Sequence, residues 1–148
     1  MTDGKMVLGL GPQYATPRLA AAFAVIGPNE DDVTVLEPWQ GAREASLGQQ
    51  LFAFFERLET SIDQHRPNAI ALRRPESNRG ATTAHDAKVA LVGVGLLVAQ
   101  RHRLASADLR SNQLNPSHDS TEVQRLLQAR SAGDLAGAIA AGLTLYRR

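Results

Sequence analysis

The sequence predicts an α/β fold: a five-stranded mixed sheet, its first three strands antiparallel, with helices on both faces. Three observations carry that expectation. Two short apolar runs early in the chain are joined by a strong turn signal, Gly27-Pro28-Asn29-Glu30-Asp31-Asp32. Residues 46–65 and 83–103 have the length and apolar recurrence of helices that cover a sheet. Further strand-length runs at 68–73 and 104–109 alternate with those helices. A hairpin followed by strand–helix alternation gives a mixed sheet with helices on both sides.

Each element has its own local cause. Residues 5–11 form a short apolar run bounded by glycine and proline, the pattern of a buried strand, and Pro12 to Pro17 turns the chain. Residues 19–26 are rich in alanine, which favours helix. The run is only two turns long, however, and ends in the turn above; with β-branched residues 33–36 beyond it, a hairpin is the simpler reading. Residues 46–65 place Leu47, Leu51, Phe54, Phe55, Leu58 and Ile62 on one face, with Ser46 and Gln49 spaced as a capping box and Pro67 beyond the end. After the strand at 68–73, residues 83–103 are apolar nearly all round, which predicts a helix buried against the sheet. Gly93 and Gly95 would let another backbone approach it. A strand at 104–109 and a short helix at 119–130 follow. Ser131 and Asp134 then open a last helix, with Leu135, Ala138, Ile139, Gly142, Leu143 and Tyr146 on one face.

Length and composition exclude several classes of function. A chain of 148 residues with a hydrophobic fraction of 43% can bury one substantial core, and no linker divides it. The absence of cysteine excludes disulfides, thiol catalysis and thiolate metal sites. Sixteen Lys and Arg against fifteen Asp and Glu leave a net charge of +1, so bulk charge gives no sign of a strongly electrostatic partner. No apolar run is long enough to span a bilayer and no secretion signal is evident, so a cytoplasmic location is expected.

Leu8-Gly9-Leu10-Gly11-Pro12 is similar to the first-strand pattern Leu-Gly-Ile-Asp-Pro of the RuvC family of Holliday-junction resolvases, within the RNase H-like superfamily. Ala69-Ile70-Ala71-Leu72-Arg73-Arg74 resembles the family strand that ends in a catalytic glutamate. Residues 78–99 sit where the family has an asparagine-led loop and a long helix. Residues 134–140 resemble its last-helix pattern Asp-x-x-Asp-Ala-Leu-Ala. The resemblance spans nearly the whole chain. It implies an RNase H-like fold, a dimer and a chemistry in which two divalent cations about 3.5–4 Å apart hydrolyse phosphodiesters. It also implies that the carboxylate positions are degenerate: Gly11, Arg73 and Gly137 replace three acids and Asp134 alone remains. Glycine supplies no ligand and a guanidinium cannot titrate away, so neither metal nor catalytic residue is expected.

Arg73 is read either as an ion-pair partner of Asp134 or as a phosphate contact. Arg74, one residue on, should face the other way into solvent. Asp134 completes a capping box with Ser131. Arg73, Arg74, Arg79 and Lys88 are the candidate DNA or RNA contacts within a basic region that extends to Arg101, His102 and Arg103, without interleaved aromatics to stack bases. The surplus apolar faces of residues 83–103 are the expected homodimer surface. His65, His85, His102 and His118 show no metal-ligand spacing; His118-Asp119-Ser120 is better explained as a helix cap than as a triad, and Trp39 as packing. The expected function is therefore that of an inactive RuvC-like protein, a pseudonuclease acting by binding. The alternative is an active Mg2+-dependent endonuclease whose ligands have moved to Glu76, Asp86 and Asp134.

Overall fold

The computed structural model describes residues 4–15, 17–76, 83–114, 120–128 and 133–148. Asn78, Arg79, His118, Asp119 and Ser131 lie outside the described residues. Strands β1 (Val7–Ala15), β2 (Arg18–Ile26), β3 (Val33–Val35), β4 (Trp39–Gln40), β5 (Ala69–Arg73) and β6 (Ala105–Leu109) form one sheet. Its order is β3-β2-β1-β5-β6, with the two-residue β4 also paired to β2. The first three strands are antiparallel, as expected, and β5 and β6 run parallel to β1. Helices α1 (Leu47–His65) and α2 (Thr83–Arg101) cover one face; α3 (Thr121–Leu126) and α4 (Leu135–Tyr146) pack on the other. Among the described residues no helix is long and apolar enough to cross a membrane.

The first hairpin is longer than its composition suggested. β1 runs through Pro12 to Ala15, so the expected turn at 12–17 shrinks to its last residues. Proline is tolerated because pairing to β5 stops at Leu10–Leu72; beyond that point β1 has a partner on one side only. The alanine-rich β2 is a strand, because Leu19, Ala21, Phe23 and Val25 pack under α1 and α2 while Ala22, Ala24 and Ile26 pack on the opposite side.

The two helical layers are built differently. On the α1/α2 side, Leu8, Leu10, Phe23, Ile70 and Leu72 meet Phe54, Leu58, Leu91 and Val98. On the α4 side the sheet offers Gly9, Gly11, Ala22, Ala24 and Ala71, and the helix answers with Gly137, Ala138, Ala141 and Gly142. Small residues on both partners bring the α4 backbone onto the strands. A Cβ on Gly9 would lie 2.1 Å from the Ala138 carbonyl oxygen. The close approach expected at Gly93 is not made: among the described residues nothing stands within 4 Å of a Cβ there, and Gly95 faces the side chain of Leu72 rather than a backbone.

Helix α1 opens on the expected capping box. Ser46 Oγ accepts from the Gln49 N–H, and Gln49 Oε1 accepts from the Ser46 N–H at 2.8 Å. Leu47, expected on its apolar face, is largely exposed, as is Phe52. Trp39 is packing, its ring tilted 5.4 Å from that of Phe54.

Candidate nucleic-acid interface

The carboxyl end of β5 and the middle of β1 meet under the first turn of α4. Leu10 is in register with Leu72, so Gly11 and Arg73 stand side by side at the sheet edge. Because side chains alternate along a strand, Arg73 leaves on the α4 face, and its stem lies against Gly137. Gly11, Arg73, Asp134 and Gly137, the four positions picked out by pattern, are therefore brought to one place.

The contacts there differ from the ion pair expected from sequence. Asp134 is itself the N-cap of α4, its Oδ1 accepting from the Gly137 N–H at 2.9 Å. Asp134 thus stands at the N-cap and not at the third position of the helix expected from sequence, and Ser131 lies outside the described residues. Arg73 does not pair with Asp134. Its guanidinium donates to the Arg74 carbonyl and forms an ion pair with Glu76 at 3.3 Å, its side chain only 16% exposed. A capping carboxylate already held at a helix N-terminus gains little by turning to a guanidinium, whereas Glu76 is three residues from Arg73 and within its reach. Glu76 also accepts from the Ser111 N–H at 3.0 Å. Hydrogen bonds from Ser111, with the Arg73 charge adding to them, hold the Glu76 carboxyl below the usual carboxylate range.

Arg74 does leave on the other face of the sheet. It is not simply solvated, however, because it pairs with Asp108 of β6. The register explains this: Asp108 lies opposite Leu72, two residues before Arg74 on the same side. Lys88 is half-buried on α2, in the same layer as Arg74. Of the four candidate nucleic-acid contacts, Arg73 thus lies on one face, Arg74 and Lys88 on the other, and Arg79 outside the described residues. Asp108, which pairs with Arg74, and Ser111, which holds the Glu76 partner of Arg73, carried no sequence signal beyond their place at the end of β6.

The relocated ligand set does not assemble. Glu76 is engaged by Arg73 and Ser111, Asp134 by Gly137, and Asp86 is exposed in the first turn of α2 in the opposite helical layer. Among the described residues no group of three or more His, Asp or Glu is placed to hold a metal ion. His102 is paired with Glu59, joining α2 to α1.

The fit to a divalent-cation pair fails on geometry. Hard cations need several anionic oxygens around an open space. Here the Asp134 N–H donates to the Gly11 carbonyl at 3.0 Å, so α4 rests directly on β1. The neighbouring strand presents a guanidinium, whose fixed charge repels a cation.

No protein-family model matches the sequence, and no curated protein is similar to it. Solved structures are. The chain superposes on the Thermus thermophilus RuvC structure in complex with Holliday junction substrate with a TM-score of 0.68 at 16% identity, covering 95% of this chain and 91% of that one. The Thermus thermophilus RuvC structure gives a TM-score of 0.65 at 16% identity, covering 94% and 92%. The chain has the RuvC fold. A fowlpox virus resolvase bound to Holliday junction DNA aligns over 96% of this chain at 7% identity, with a TM-score of 0.47.

Proposed function

We propose that the chain is a RuvC-like pseudonuclease that binds branched or duplex nucleic acid without cleaving it. The observation that carries this reading is the pair Gly11 and Arg73, side by side where β5 ends against β1 and covered by α4, where hydrolysis would need anionic oxygens. The fold it shares with a RuvC solved on a junction supports a nucleic-acid ligand. Arg74, Lys88 and the exposed Arg110 at the end of β6 supply cationic groups near that edge.

The same reading takes the protein as a cytoplasmic homodimer with no catalytic metal. Helices α1 and α2 expose Phe52 (62%), Leu97 (65%) and Val89 (36%), large apolar side chains of the kind that an interface covers.

The test is a binding and cleavage assay on a labelled four-way junction and on duplex DNA. Binding should weaken steeply as salt rises from about 50 to about 200 mM, with no product in Mg2+ or Mn2+. Cleavage that disappears in Asp134→Ala would overturn the reading. Binding no tighter than that of an Arg74→Ala, Lys88→Ala variant would remove the nucleic-acid role and leave a protein partner.

A further inference from the structure

We infer that the cation site of this fold is closed by the backbone of α4, not merely stripped of its ligands, so that carboxylates restored at positions 11 and 73 will not recover divalent binding. A Cβ on Gly11 would lie 1.8 Å from the Asp134 carbonyl oxygen, 2.8 Å from its carbon and 3.0 Å from the Ala138 nitrogen. All three are main-chain atoms of α4 or its cap, and no rotamer change moves them. A side chain at position 11 can be admitted only if the helix itself shifts.

The helix is held against such a shift along its length. One pleat earlier, Gly9 is blocked by the Ala138 carbonyl at 2.1 Å. Leu135, Ala138, Ile139 and Leu143 are buried in the core beneath β2. The Asp134–Gly11 hydrogen bond fixes the first turn to β1. Position 137 is crowded by side chains and not by backbone: a Cβ there would meet Asp134 Oδ2 at 2.1 Å and Arg73 Cγ at 2.8 Å. The stem of Arg73 thus fills space that a second helix carboxylate would need. Packing at this density transmits a local insertion into backbone movement.

The inference goes beyond the pseudonuclease reading and is tested without nucleic acid, so failure to bind DNA leaves it standing. Melting midpoints are measured for Gly11→Ala, Gly11→Asp/Arg73→Glu, Arg73→Glu and the open-helix control Gly93→Ala, and each folded variant is titrated with MnCl2 by calorimetry. Gly11→Ala should melt about 5 °C or more below the parent, because overpacking of a tight contact acts on the whole helix. Gly93→Ala should not fall. Neither Gly11→Asp/Arg73→Glu nor Arg73→Glu should give a saturable Mn2+ isotherm at millimolar concentrations. A Gly11→Ala midpoint equal to the parent's would overturn the closure. So would saturable Mn2+ binding by either glutamate variant; Arg73→Glu keeps Gly11 and provides that measurement even where the double variant does not fold.

Discussion

Gln50 lies buried beneath Leu19, its Oε1 accepting the Leu19 N–H at 2.8 Å. Its amide nitrogen donates to the carbonyls of Pro17 at 2.9 Å and Ala45 at 3.2 Å. One side chain thereby satisfies three main-chain groups where the first hairpin, the loop before α1 and α1 itself meet. Gly41 leaves room for it, since a Cβ there would stand 2.2 Å from Oε1.

Gln50→Leu keeps the volume but leaves those groups unpaired, and an unsatisfied buried polar group costs roughly 1–3 kcal/mol. A total loss of about 3 kcal/mol in urea unfolding is expected, with an unchanged slope. A loss below about 0.5 kcal/mol would show that water replaces the amide.

Gly93→Ala should raise stability by about 0.5–1 kcal/mol, because the position is helical and open and glycine is the poorer helix former. Gly9→Ala should lower it by about 1–3 kcal/mol through collision with the Ala138 carbonyl. Chemical denaturation of both variants checks the opposed signs, and equal effects would remove the close-contact account of the α4 layer.

Glu76 should titrate below an ordinary glutamate when followed by carboxyl NMR. Ser111→Ala keeps the N–H donor but removes the Ser111 side-chain hydrogen bond, the largest cause of the lowering, and should raise the Glu76 midpoint. A carboxyl with a depressed folded pKa contributes stability above its unfolded pKa and loses it as pH falls through the folded value. The contribution of Glu76 therefore fades only on the acid side of the carboxylate range, and Ser111→Ala should be relatively less stable above that range. A Glu76 midpoint unmoved by Ser111→Ala would break the assigned network.

Arg73→Ala should cost about 1 kcal/mol or less, because its ionic partner is half-exposed and such pairs contribute little. A loss near 3–5 kcal/mol belongs to a buried pair with one partner removed, and would restore the Asp134 pairing expected from sequence.

Under the homodimer reading, Phe52→Ser/Leu97→Glu should sediment as a monomer at a concentration where the parent is dimeric, with an unchanged circular dichroism spectrum. Both side chains are exposed in the isolated chain, so their replacement should leave the fold intact. A parent that is monomeric throughout would remove the dimer from the reading.

What the sequence made legible follows a physical division. Elements set by local chemistry were readable: the Ser46–Gln49 cap, the turn at Gly27, the strand character of residues 19–26 and the two long helices. Contacts set by sheet register were not. Nothing near Arg74 announces Asp108, which reaches it only because β6 is parallel to β5 with Leu72 opposite Asp108. Pro12 obscured the length of β1, since its tolerance there depends on where β5 stops. Two signals were available but unused. Gly9 and Gly11 alternate on one strand face opposite a helix rich in glycine and alanine, the pattern of a backbone-to-backbone contact. Gln50 stands at helical spacing from Phe54 and Leu58, in the row of residues that α1 buries.

Arg73 and Arg74 leave β5 in opposite directions, each with its own acidic neighbour. A single polyanionic strand approaching this rim therefore meets one guanidinium or the other, never both as a clamp. On either side a carboxylate already sits on the guanidinium, so any grip on phosphate would share or exchange that partner and would not fill a bare positive surface.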